Sequence, residues 1–93
     1  MSASIEILIE RAAAVLKAAG AREVYLFGSA VRERMRPDSD VDLAVSGLPP
    51  EVFFRAMSDA ERAMEMPLDL IDLDEDNPFT RYLRSEGELR RVG

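Results

Sequence analysis

The chain has 93 residues, of which 47% are hydrophobic, contains no cysteine or histidine, and carries a formal charge of −6 from 18 acidic and 12 basic side chains. That size supports one domain, residues 1–93, with a modest core. The composition excludes disulfides, Cys/His zinc sites and histidine or cysteine catalysis.

The negative balance is the wrong sign for a free nucleic-acid binder, so direct nucleic-acid binding is not expected. No run approaches the roughly 18 apolar residues of a membrane span. No basic start followed by an apolar core opens the chain. The expectation is a cytoplasmic protein without a membrane segment. All basic residues except Lys17 are arginine, which suits bidentate contacts to phosphate or carboxylate and equally reflects a GC-rich coding sequence.

Ser4 to Ala19 has the pattern of an amphipathic helix. Ser4 is the N-cap, Ile5, Ile9, Ala12 and Leu16 form one stripe, Leu8, Val15 and Ala19 flank it, and Gly20 closes it. Glu23 to Phe27 reads as a strand, and Ser29 to Met35 as a short helix ending before Pro37. Asp40 to Val45 is the second strand, with Asp40, Asp42 and Ala44 on one face and Val41, Leu43 and Val45 on the buried one.

Ser46-Gly47 marks a turn, and Pro50 starts a helix running to about Glu65, with Phe53, Met57, Ala60 and Met64 as its core stripe. Phe54 lies off that stripe, either widening the core face or meeting a partner. Leu68 to Leu73 is the third strand, and Asn77-Pro78 caps a last helix with Phe79, Tyr82 and Leu83 inward and Gly87 closing it. Glu88 to Gly93 reads as a loose tail in which Leu89 and Val92 are the residues able to dock. The expected order is α-β-α-β-α-β-α, a small sheet covered by helices, of α/β (α+β) class.

Three aspartates interrupt the apolar strands. Asp40 and Asp42 share a face by period two, and Asp69 breaks the third strand between Leu68 and Leu70. A lone D-x-D is commonly a solvated strand face. Here aspartate is a poor strand former inside an apolar run, and a glycine-serine pair, Gly28-Ser29, lies upstream where backbone amides can turn toward a phosphate. Carboxylates on adjacent strands repel, and a hard divalent cation such as magnesium relieves that repulsion. Asp72 competes with Asp69 for the third position. Since the two fall on opposite faces of a regular strand, Asp69 is preferred, and Asp72 groups with the acidic run Asp74, Glu75 and Asp76 in solvated loop.

Gly28-Ser29, then ten residues, then Asp40-Val41-Asp42 resembles the signature of the DNA polymerase beta nucleotidyltransferase superfamily. More narrowly, Gly28-Ser29-Ala30-Val31-Arg32 and the stretch from Pro37 to Val45, with Asp69-Leu70-Ile71 beyond, resemble the minimal nucleotidyltransferase (MNT) domains. One departure is Glu33, where these domains usually have glycine.

The resemblance implies a small mixed β-sheet of the polymerase beta palm-like kind with helices packed on it. It implies two magnesium ions on Asp40, Asp42 and Asp69, with ATP as nucleotide substrate and displacement at its α-phosphate. Gly28 and Ser29 would hold the β- and γ-phosphates. Arg32 would neutralise pyrophosphate or, as a surface residue, pair with Asp38 or Glu33. Ser39 would touch a phosphate or simply form the turn.

The resemblance further implies an antitoxin that transfers AMP to a tyrosine of a partner HEPN-domain toxin, forming a hetero-oligomer with it. An acidic chain with no length left for a second lobe fits an acceptor supplied by a protein. The alternatives are a non-catalytic module of the same fold that masks its partner, favoured by Glu33, and transfer to a small molecule such as an antibiotic. A calcium loop fails because the D-x-D lies in a strand pattern without the expected glycine and distal glutamate.

Overall fold

The structure is a computed structural model that describes residues 5–27, 41–85, 87 and 89–93. The first element is helix α1 (Ile5–Ala18), followed by strands β1 (Glu23–Phe27) and β2 (Val41–Ser46). A single 3₁₀ turn (Pro50–Val52) leads into helix α2 (Phe53–Met64). Strand β3 (Leu68–Asp72), helix α3 (Pro78–Ser85) and strand β4 (Arg90–Val92) complete the chain. The expected N-cap Ser4, the helix over Ser29 to Met35 and the strand position of Asp40 lie outside the described residues.

The sheet is mixed, in the order β3-β2-β1-β4. β1 pairs antiparallel with β2 and β4, and β2 pairs parallel with β3. The fourth strand departs from the expected loose tail: Val92 lies opposite Val24 and Arg90 opposite Leu26. The ladder offers hydrogen bonds that three alternating residues cannot advertise in sequence. The described elements therefore run α-β-β-α-β-α-β, an α+β arrangement around one sheet.

Alternation along the strands divides the interior in two. On one face Val24, Leu26, Val41, Leu43, Val45, Leu68 and Leu70 pack with Ile9, Ala12 and Leu16 of α1 and Ala56, Ala60 and Met64 of α2. The stripe expected on α1 is this buried face. On α2, Ala60 and Met64 are buried as expected, Phe53 and Met57 are half-buried against the core, and Phe54 stands 72% exposed, edge-on to Phe53.

The other face carries a smaller cluster of Phe27, Ala44, Leu73 and Leu83, with Tyr25, Ile71 and Leu89 packed against it. Ala44, expected on an open face, is fully buried there because α3 covers this side.

α1 ends as its sequence dictates. Gly20 adopts a positive φ of 124°, its N–H bonds the Lys17 carbonyl at 3.0 Å, and the Ala21 N–H reaches back to the Leu16 carbonyl at 3.1 Å. These are the paired bonds of a Schellman end, closed by the Ala21 and Leu16 side chains in the same core. Gly47 also has positive φ, and a Cβ there would come within 2.7 Å of the Arg22 side chain. Its N–H donates to Asp74 Oδ2 at 2.6 Å, and Ser46 Oγ donates to Asp74 Oδ1 at 3.2 Å. Asp74, expected in a solvated loop, is thus the carboxylate that joins the turn after β2 to the turn after β3.

α3 is rotated relative to the expected orientation. Phe79 and Tyr82 are 47% and 54% exposed, whereas Leu83 and Thr80 are buried. Asn77 Oδ1 accepts from the Thr80 N–H at 2.9 Å, and Thr80 Oγ1 accepts from the Asn77 N–H at 3.1 Å, a reciprocal cap that turns Thr80 inward. At about 100° per residue, Phe79 then falls on the edge of the buried sector and Tyr82 beyond it. Arg84 fixes the other end by donating to the Leu73 carbonyl.

Candidate active site

The site is a consequence of strand register. β1 ends where β2 and β3 begin, and across that end Phe27 pairs with Asp42 while Asp42 pairs with Asp69. Paired residues on neighbouring strands present their side chains on the same face. That face therefore begins with a row of Asp69, Asp42 and Phe27. The next row, Ile71, Ala44 and Tyr25, is already apolar and partly covered by α3.

Asp42 is half-buried and Asp69 exposed, while the residues flanking them, Val41, Leu43, Leu68 and Leu70, point into the larger core. The apolar neighbours hold the strands, and the aspartates lie on the opposite face.

Of the two candidates for the third carboxylate, Asp69 is the one opposite Asp42. Asp72 pairs with Val45 further along, and its Oδ1 accepts from the Asp74 N–H at 2.9 Å. Asp72 is engaged in the turn that leads toward α3. Gly28, Ser29, Arg32, Ser39 and Asp40, the remaining candidate residues, lie outside the described residues, as does Glu33.

The donor set fits a hard divalent cation. Two carboxylates on adjacent strands repel each other, and oxygen-only ligands are what magnesium takes, completing its shell with water and substrate oxygens. Among the described residues no group of three His, Cys, Asp or Glu side chains that could hold a metal ion is found; Asp42 and Asp69 are the two carboxylates that the register sets opposite each other.

Aromatic side chains border this row. Phe79 of α3 stands edge-on to Phe27, ring centroids 6.2 Å apart at 63°. Sequence periodicity missed its position because Phe79, Tyr82 and Leu83 have the spacing of one buried stripe. Two residues back along β1, the Tyr25 hydroxyl donates to Glu23 Oε2 at 2.9 Å, and Arg91 of β4 lies 3.8 Å from the same oxygen. The bond to Glu23, with a smaller contribution from burial, raises the Tyr25 phenol above its usual value.

An aspartate-bearing sheet end beside a helix-covered face is the arrangement of a nucleotidyltransferase fold. The sequence matches the model for polymerase beta nucleotidyltransferases over residues 10–89, and the chain belongs to that family. Its structure is similar to that of a candidate minimal nucleotidyltransferase, with a TM-score of 0.70 and 27% identity, covering 92% of this chain and 95% of that one.

It is also similar to a toxin–antitoxin structure with AMP-PNP, with a TM-score of 0.69 and 22% identity over 90% of this chain and 70% of that one. The toxin–antitoxin MntA–HepT has a TM-score of 0.60 and 21% identity over 91% of this chain and 68% of that one. Comparison with curated proteins gives no match. No helix among the described residues is long and apolar enough to cross a membrane.

Proposed function

We propose that this protein transfers AMP from ATP to a hydroxyl, a tyrosine in our reading, of a partner HEPN-type toxin and thereby neutralises it. The observation that carries the reading is the register that sets Asp42 beside Asp69 in a chain of the polymerase beta nucleotidyltransferase family. The toxin–antitoxin context rests on the two similar structures described as toxin–antitoxin pairs, one of them with AMP-PNP.

In this reading Asp40, Asp42 and Asp69 hold magnesium, and Gly28, Ser29, Arg32 and Ser39 contact the triphosphate. Magnesium, when bound, supplies the positive charge that offsets charge developing on the transferring phosphoryl group. The acceptor oxygen forms a bond to the α-phosphorus, the bond to the bridging oxygen breaks, and pyrophosphate leaves in line. Asp69, the more exposed of the two described carboxylates, receives the acceptor proton or passes it to solvent. Gly28 and Ser29 orient the β- and γ-phosphates, and Arg32 balances the leaving charge. The net charge of −6 favours a protein acceptor over a polynucleotide.

The deciding measurement is the intact mass of a purified candidate toxin after incubation with this protein, ATP and magnesium. A gain of one or more AMP units, absent with Asp42→Ala/Asp69→Ala, is the expected result. A stable complex formed equally by both proteins without any mass gain would leave a masking module instead of an enzyme.

A further inference from the structure

β3 is the last described strand on its side of the sheet, so only one of its edges is paired. The Val41 N–H donates to the Pro67 carbonyl at 3.0 Å and the Leu73 N–H to the Val45 carbonyl at 2.8 Å, so Pro67 and Leu73 turn these groups toward β2. In a parallel pair alternate residues serve the neighbour. Asp69 and Ile71 therefore bond β2, while Leu68, Leu70 and Asp72 direct their N–H and carbonyl groups away from it. Leu68 shows the parity directly, since its N–H donates to Glu61 Oε2 at 2.9 Å. The Glu75 N–H takes the Asp72 carbonyl at 3.2 Å. What the edge still offers is the Leu68 carbonyl, both groups of Leu70 and the Asp72 N–H, which no described strand pairs.

We propose that this edge receives an extended segment of the protein acceptor, added antiparallel to β3 with the accepting hydroxyl residue opposite Asp69, an inference that rests on the nucleotidyltransferase reading of the site. Strand addition takes its affinity from main-chain bonds and its placement from alternate side chains. With Leu70 in a hydrogen-bonded pair, Asp69 falls in a non-hydrogen-bonded one, where facing Cβ atoms stand about 4.5–5.5 Å apart. The residue opposite Asp69 then continues the row of Asp69 and Asp42 on the same face of the sheet. Its hydroxyl meets the carboxylates from the side of β3, and the residues before and after it point to the other face.

Charge selects the segment. β3 carries Asp69 on one face and Asp72 on the other. The open cleft at its start is lined by Glu61, Arg62, Glu65, Met66 and Pro67, with Arg62 paired to Asp59. A second copy of this chain, paired through the same edge, would set carboxylates against carboxylates, which is destabilising. A segment with lysine or arginine beside its hydroxyl residue gains opposite-charge pairs instead. The edge is thereby guarded against self-association and suited to a basic strand.

The test reads backbone amide exchange by NMR, in the protein alone and in complex with the purified candidate toxin, together with the toxin affinity of Asp72→Ala and Asp72→Pro. The Leu70 and Asp72 amides are expected to slow by about tenfold or more in the complex, and by more than those of Asp69 and Ile71, which are already bonded to β2. Asp72→Ala removes the carboxylate and keeps the N–H. Asp72→Pro also removes the outward N–H, which the ladder with β2 does not use and whose loss an edge strand tolerates. It is expected to bind the toxin about tenfold more weakly than Asp72→Ala, with the same circular dichroism and the same affinity for magnesium-ATP. Equal toxin affinity of the two variants overturns the proposal, as does protection confined to other surfaces while transfer proceeds, and both leave the transferase reading standing. Protection of the edge in a complex that the parent protein never modifies removes the transferase reading and the acceptor role of the edge with it. Failure of the parent protein to form any complex with the toxin overturns both.

Discussion

The two faces of the sheet are built from the same strands and differ in what covers them. Beneath α1 and α2 the central strand positions are apolar, and Val24, Val41, Leu43 and Val45 have no exposed surface; the charged positions on this face, Asp72 and Arg90, lie on the edge strands β3 and β4. Under α3 the cover is only eight residues long. Through Leu83 it packs with Ala44, Leu73 and Phe27. Asp42 and Asp69 lie opposite each other on this smaller face, Asp42 half-buried and Asp69 exposed, and full burial of a carboxylate without a partner costs several kcal/mol, roughly. The large face holds most of the buried core, and the small face carries the aspartate row.

Neighbouring residues on β2 give the sharpest way to break that contrast. Asp42→Asn, measured by transfer to the partner toxin, is expected to reduce the rate by roughly a hundredfold or more while the protein remains folded by circular dichroism. Retained transfer would remove Asp42 from the catalytic face.

Leu43→Ala, one residue away and pointing the other way, should instead lower stability by about 2–5 kcal/mol in urea unfolding. A loss well below 1 kcal/mol would mean that the larger core is loosely packed there. Asn77→Ala removes the acceptor for the Thr80 N–H and should cost about 1 kcal/mol. If α3 matters chiefly as the cover of the small face, that variant should also weaken transfer modestly.

The smallest effect concerns pH. The Tyr25 phenol is raised above its ordinary value by its bond to Glu23. The stability it contributes is therefore fully present below about pH 10 and lost as pH rises through the folded value. Thermal midpoints of the parent between pH 9 and about pH 11.5 should fall more steeply than those of Tyr25→Phe. Identical curves would show that the Tyr25–Glu23 bond carries no weight.

The legible parts of this chain were those in which one local signal pointed one way. Apolar periodicity located α1 and the buried Ala60 and Met64 of α2, Gly20 located the end of α1, and alternation on either side of Asp69 put it, and not Asp72, on the face opposite the larger core. The misread parts were those in which two signals competed. Phe79, Tyr82 and Leu83 have the spacing of a buried stripe, but the Asn77–Thr80 cap sets the rotation of α3, and Thr80 takes the place that hydrophobicity would have given to an aromatic ring. Asp74 sits in an acidic run that reads as solvated loop, yet its carboxylate accepts from Gly47 and Ser46, residues 27 and 28 positions away.

By itself, then, the sequence determined helices α1, α2 and α3, three strands, the family signature and the face on which each aspartate of the described strands lies. All of these follow from local periodicity and spacing. Only the tertiary structure decided that β4 joins the sheet, that Ala44 is buried, that Asp42 and Asp69 are strand partners, and that Phe79 stands edge-on to Phe27. Those depend on register and on which element covers which face. They are set by the fit of distant surfaces to one another, and no local pattern in the chain encodes them.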